Sequence, residues 1–210
     1  MPTTRPGKVW SAMLDGNSRF IAGEPQHPHQ DVERRQSVAA GQEPVAAIFG
    51  CADSRLSAEI IFDMGLGDAF VVRNAGQVVS ASEVGSLEYA VAVLKVPLIL
   101  VLGHDSCGAV AAAIGSQADD ADPLPPHIAQ LIAPIIPAVR RVAGEGAVDP
   151  ALIDASEVGR EHLRDTVAEL LAQSEIIASA VAENTLAIVG ANYRLAEGRV
   201  VPDVVVGLRD

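Results

Sequence analysis

The run Leu98-Ile-Leu-Val-Leu-Gly103 leaves this 210-residue chain little choice. It is apolar without alternation and far shorter than the ~18 residues a membrane span needs, so it reads as a strand buried on both faces, as in parallel sheets. Around it the pattern repeats. Val45 to Gly50, Ala69 to Arg73 and Thr185 to Ala191 read as strands, and Val200 to Gly207 as a last one whose Pro202 suits a sheet edge. Ala58 to Met64, Ser82 to Leu94, Cys107 to Ile114 and the long amphipathic stretch Ser156 to Val181 read as helices. Pro134 and Pro137 should kink or end any helix within His127 to Val142. Strands alternating with helices imply crossover connections and a parallel core.

Upstream, Trp10, Met13, Leu14, Asn17, Phe20 and Ile21 recur at spacings of three and four, which predicts an amphipathic helix over Val9 to Ala22 with mostly apolar contacts. His27-Pro28-His29 belongs to an extended linker, where histidines beside prolines read as solvated residues. Asp31 can cap a short helix running to about Ala40. The expectation is an α/β fold: a central, mostly parallel β-sheet flanked by helices, with an N-terminal helical arm. One domain over 1–210 is expected, with the arm at 1–40 and the α/β core at 41–210.

Aromatic residues make up 3% of the chain against 49% hydrophobic residues, so the core must be built from Ala, Val, Ile and Leu. A net charge of −12 argues against a nucleic-acid partner, since that affinity comes from clustered Lys and Arg. The acidic run Ala118-Asp-Asp-Ala-Asp-Pro123 reads as a solvated loop. The first residues, Met1 to Pro6, lack the apolar segment of a secretory signal, so a soluble cytoplasmic protein without membrane contact is expected. Two cysteines are fewer than a disulfide-stapled secreted protein would carry.

Those two cysteines sit at matching places. Cys51 follows the strand ending at Gly50, and His104 and Cys107 follow the strand ending at Gly103. Ligands gather outside the carboxyl ends of strands in open α/β sheets. If the two strands are neighbours, about 4.8 Å apart, both thiolates and the imidazole can converge on one zinc ion. A Cys2His set leaves a fourth tetrahedral position free. In Cys51-Ala-Asp53-Ser-Arg55, the Asp53 carboxylate can turn to that metal or pair with Arg55, but cannot bind both well. Bound to metal it closes the site, and paired with Arg55 it opens the position to water. A closed structural Cys2HisAsp site and an inert pair of core thiols remain alternatives; a redox pair fits less well without a C-x-x-C motif.

Cys51-Ala-Asp-Ser-Arg55 and His104-Asp-Ser-Cys107, with Arg73-Asn74 between them and Gly16-Asn17-Ser-Arg19-Phe20 upstream, resemble the signature of the β-class carbonic anhydrases. The likeness runs well over about 7–110 and more loosely through Ile188-Val-Gly190 to the final strand. It implies a lyase that reversibly hydrates carbon dioxide to bicarbonate and a proton. One zinc per subunit would be held by Cys51, His104 and Cys107, with Asp53 as the alternative fourth ligand and Arg55 holding Asp53 in the open state. There Asp53 would accept a hydrogen bond from the nucleophile and orient it.

The resemblance further implies a substrate pocket of Gln42, Phe70, Ala75 and Tyr89. Gln42 would donate to a substrate oxygen, and the other three would form apolar walls. It implies a pocket built across a dimer interface, hence a homodimer or homotetramer, with the helix around Trp10 wrapping a partner. Bicarbonate-regulated members carry Trp where this chain has Ile48, so a non-allosteric type is expected, open at neutral or alkaline pH. His127 and His162 receive no metal role and read as surface or capping residues. A related hydrolase of carbonyl sulfide or carbon disulfide, and a non-catalytic structural zinc module, are the rival functions.

Overall fold

The computed structural model describes residues 5–144, 146 and 148–209; the expectation that Met1 to Pro6 carries no secretory signal falls mostly on residues outside them. Its centre is a five-stranded sheet in the order β2-β1-β3-β4-β5, with β1 Ala46–Cys51, β2 Ala69–Asn74, β3 Leu98–His104, β4 Ala187–Arg194 and β5 Arg199–Val206. The first four strands pair in parallel and β5 joins β4 antiparallel. Pro202 lies on this edge strand, where a missing N–H costs no ladder bond on the open side.

All seven residues of β3 are buried, and so are all six of β1. The period of two assigns their side chains to opposite faces. Ile48, Leu98, Leu100, Leu102 and Val189 share one apolar cluster, and Ala47, Phe49, Ile99, Val101 and Ile188 share the other. This is the doubly covered, mostly parallel sheet that the unbroken apolar runs predict. Among the described residues, no helix is long and apolar enough to cross a membrane.

Helix α1, Pro6–Ala22, buries Val9, Trp10 and Met13 in the first cluster. These three side chains of the helix therefore pack on the chain's own core. Asn17, read among the apolar positions, is 3% exposed and works as a polar clasp. Its Nδ2 donates to the Ile61 and Gly198 carbonyls (3.2 and 2.8 Å), while its Oδ1 accepts from the Val200 N–H at 3.0 Å. Helix α2, Val32–Ser37, is capped by Asp31, whose Oδ1 accepts from the Arg34 N–H at 2.7 Å. In the preceding linker His29 is half-exposed, but Nδ1 bonds the Asp68 carboxylate at 2.8 Å rather than facing solvent alone.

The remaining helices are α3 Ala58–Ile61, α4 Ala81–Ala92, α5 Gly108–Gly115, α6 Pro126–Ile132, α7 Ile136–Ala143, α8 Ala155–Gln173 and α9 Glu175–Ala182. Pro134 and Pro137 do interrupt the 127–142 stretch, with a 3-10 turn at Ala133–Ile135 between α6 and α7. The single helix read over Ser156 to Val181 is instead two. Ser174 leaves the helical region at φ −123°, ψ 108°; its hydroxyl caps α9 by accepting from the Ile177 N–H (3.1 Å) and donates to the Glu88 carboxylate (2.6 Å).

Candidate metal centre

Strands β1 and β3 are direct neighbours with Gly50 opposite Leu102, so their carboxyl ends emerge side by side. Cys51 is the last residue of β1, His104 the last of β3, and Cys107 sits at the N-cap of α5. The thiol sulfurs are 4.0 Å apart, and the ligand atoms of Cys51, His104 and Cys107 all lie within 4.8 Å of one another. All three residues are buried, at 4%, 5% and 6% exposure. A Cβ on Gly103 would lie 2.8 Å from Asn192 Oδ1, so a larger residue there would have to displace the Asn192 side chain. Gly50 has ordinary room, its nearest contact being 3.5 Å.

A metal fits this arrangement. His104 Nδ1 donates to the Asp105 carbonyl at 2.8 Å, so Nε2 carries the free lone pair. That Nε2 is buried and has no hydrogen-bond partner among the described residues, which is costly unless something else meets it. The hydrogen bond shared by the two sulfurs favours ionisation of one thiol over the other. The hydrogen bond from Cys107 draws Cys51 well down against the opposing effect of burial, with His104 and the Gly76 N–H adding to it, while the same bond and burial push Cys107 up. Burial opposes protonation of His104, yet the adjacent Cys51 sulfur outweighs it and raises the imidazole. A buried thiolate beside an orphaned imidazole nitrogen is an environment that a divalent soft-ligand cation such as zinc would satisfy.

Asp53 stands at the mouth, engaged elsewhere. Arg55 grips both its oxygens, Nε to Oδ1 at 2.9 Å and Nη2 to Oδ2 at 2.7 Å, and the Arg55 backbone N–H donates to Oδ1 at 2.9 Å. The Arg55 guanidinium holds this carboxyl far below its usual range, overriding desolvation. Asp53 Oδ2 is also 4.0 Å from His104 Nε2. Arg55 also donates to the Ser106 carbonyl at 3.2 Å, linking the two ligand loops.

Other residues build the site in roles that the sequence reading did not assign, several of them inside the quoted motifs. Arg73 stitches the first loop down, Nε to the Cys51 carbonyl (3.0 Å) and Nη2 to the Asp53 carbonyl (2.7 Å). The Asp105 carboxylate accepts from the Leu195 N–H at 3.0 Å and ties the second loop to β4. Ser106 takes φ +52°, an uncommon conformation for a residue with a side chain. Gly76 donates its N–H to Cys51 Sγ at 3.3 Å. His162, read as a surface or capping residue, is instead 2% exposed, with Nε2 bonded to the Gly76 carbonyl at 2.8 Å. Its position on the buried face of α8 explains the difference. His127 is exposed.

The four pocket residues are not brought into an enclosed space. Gln42, Ala75 and Tyr89 are exposed and Phe70 is half-buried; the Phe70 and Tyr89 rings meet at 6.1 Å. A cavity reaching His104, Ser156, Arg160 and Asn192 holds about 10 Å³, roughly the room for a single water.

A sequence model of the family described as carbonic anhydrase matches residues 46–200. Carbonic anhydrase 2 of Mycobacterium tuberculosis is 50% identical over 201 residues, covering 96% of this chain and 94% of that one. Carbonic anhydrase of Mycolicibacterium smegmatis is 48% identical over 202 residues, covering 95% and 94%. Among solved structures, a tetrameric β-carbonic anhydrase of Sordaria macrospora superposes with a TM-score of 0.70 at 28% identity, covering 93% of this chain and 96% of that one. With match, fold and motif in agreement, the chain belongs to the β-class carbonic anhydrases.

Proposed function

We propose that this carbonic anhydrase reversibly hydrates carbon dioxide to bicarbonate and a proton at one zinc ion held by Cys51 Sγ, His104 Nε2 and Cys107 Sγ, with Asp53 and Arg55 setting access to the fourth position. The observation that carries this reading is the buried, unpartnered His104 Nε2 within 4.8 Å of two thiols, beside a carboxylate that Arg55 has turned aside. Zinc supplies Lewis acidity toward water, chemistry for which carbonic anhydrases are the standing example. The protein's own part is positional. Arg55 keeps the Asp53 carboxylate ionised and paired away from the three ligands, where its free lone pairs would accept a hydrogen bond from the nucleophile and fix its direction. Arg73 and Asp105 hold the two loops at their spacing.

Carbon dioxide would enter against Phe70, Ala75 and Tyr89, with Gln42 donating to one of its oxygens. These side chains lie open in the single chain, which supports a pocket completed by a second copy and hence a homodimer or homotetramer. Ile48 is fully buried in β1, where a regulated member would carry Trp, which supports a non-allosteric enzyme open at neutral or alkaline pH. Two free thiols suit the reducing cytoplasm. A shared sheet with one cluster on each face supports one domain over 1–210, its arm at 1–40 and core at 41–210.

Zinc stoichiometry together with stopped-flow carbon dioxide hydration tests the proposal. Cys51→Ser should lose zinc and activity, whereas Arg55→Ala should keep zinc and lose activity. Full activity in Arg55→Ala rejects the gate. Turnover of carbonyl sulfide or carbon disulfide in preference to carbon dioxide would assign the hydrolase instead, and a zinc-loaded wild type inert toward all three would assign a structural module.

A further inference from the structure

The turn after β2 delivers a backbone donor to the candidate ligand Cys51, through the Gly76 N–H at 3.3 Å from Sγ. The turn is conformationally uphill. Gly76 has φ +82° and Gln77, which carries a side chain, has φ +43°. A Cβ on Gly76 would lie 2.8 Å from the Ala109 Cβ and 3.2 Å from Ile135 Cδ1. Backbone of this kind persists where its surroundings over-determine it. One clamp is local: Asn74 Nδ2 donates to the Val78 carbonyl (2.6 Å) and its Oδ1 accepts from the Val78 N–H (2.9 Å).

The other clamp comes from α8. His162 Nε2 meets the Gly76 carbonyl at 2.8 Å, a buried bond spanning 86 positions of sequence. A carbonyl can only accept, so Nε2 bears the proton. Nδ1, buried without a partner, is then the bare nitrogen. Burial keeps the imidazole below its ordinary range, so the ring is neutral with a defined tautomer. One turn on, the Thr166 hydroxyl donates to the His162 carbonyl at 2.9 Å and lies 3.5 Å from the Gln77 carbonyl, setting both residues of the turn against one helix face.

We propose that His162 is a positioning residue of the metal centre: by holding the Gly76 carbonyl it fixes the N–H that Gly76 directs at Cys51 Sγ, and so sets how tightly and with what electron density that sulfur holds its metal. This rests on Cys51 being a zinc ligand. A hydrogen bond to a coordinating thiolate withdraws charge from it, and outer partners of this kind orient ligands as well as tune them.

The test uses the zinc-loaded wild type and His162→Ala, His162→Gln and His162→Met, reading zinc release to a chelator and the sulfur-to-metal absorption of the cobalt-substituted forms. His162→Ala and His162→Met should release zinc about 10-fold to 100-fold faster and shift the absorption band. His162→Gln, whose amide N–H can reach the same carbonyl, should return both toward wild type. His162→Met keeps the volume of the side chain and preserves the test where His162→Ala fails to fold. Wild-type release and band position in His162→Met, or no recovery in His162→Gln, overturns the proposal. Cys51→Ser, run alongside, separates the two claims. A full equivalent of zinc there sinks the ligand reading itself, while zinc lost there with His162→Met unmoved rejects the role of His162 alone.

Discussion

Arg55 grips Asp53 through two parallel guanidinium bonds of 2.9 and 2.7 Å, and the shape of that fork matters as much as its charge. Arg55→Lys should therefore retain zinc yet lower carbon dioxide hydration by about 10-fold or more. Equal kcat/KM in this variant and wild type would show that charge alone suffices. Asp63 makes the contrasting case of a carboxylate used for stability. Its side chain is 1% exposed and accepts from Arg19 Nε (2.6 Å) and from the Gln26 and His27 N–H groups (each 2.9 Å at closest). Burial opposes its ionisation, but the Gln26 N–H, the Arg19 guanidinium and the His27 N–H outweigh burial and lower it. A carboxyl lowered in the folded state binds its proton more readily when unfolded. Its contribution is therefore complete above about pH 4, the unfolded value, and drains away as pH falls toward the folded one. Wild type should lose stability over this acid range more steeply than Asp63→Asn in urea melts. At neutral pH, Asp63→Ala should cost about 1–3 kcal/mol by stranding buried donors.

Elements carry information that single residues do not. The apolar runs that became β1 and β3 were legible because burial on both faces leaves no other use for them, and the Asp31 cap was legible because capping is local. The division of α8 from α9 was not, since helical periodicity continues through Ser174 and what diverts the chain there includes Glu88, 86 positions away. Ser174→Ala should cost about 0.5–2 kcal/mol through the lost cap, read as a lowered urea midpoint with unchanged slope. The docking of α1 was likewise unreadable. Gly16 lies so close to the chain leaving α3 that a Cβ would sit 1.9 Å from the Phe62 carbonyl oxygen. Gly16→Ala, harmless or better in an isolated helix, should cost about 1–3 kcal/mol here. A melting temperature at or above wild type would show that α1 yields without loss.

For the whole molecule, several of the residues expected to line the pocket lie open on the single chain. Tyr89 on α4 is 46% exposed and Val93, just past that helix, 57% exposed, with Gln42 and Ala75 also open. The proposed pocket would then be completed by a second copy covering Tyr89. Tyr89→Arg should lower the mass found by light scattering toward that of one chain and reduce carbon dioxide turnover, with zinc content unchanged. An undiminished oligomer would place the interface elsewhere.

By itself the sequence determined the doubly covered, mostly parallel sheet and singled out Cys51, His104 and Cys107 as candidates, because hydrophobic periodicity and residue chemistry are properties of short segments, while β1 to β4 each run one to three residues past the ends read from it. Cys51, His104 and Cys107 announced themselves through their position after apolar runs that could only be strands. Tertiary structure alone decided that β1 and β3 are neighbours, that α1 spends its apolar face on its own chain, and that His162 lies inside, bonded to Gly76. Each of these joins segments tens of residues apart, and nothing in a local window encodes which distant backbone group a side chain will meet; packing settles it.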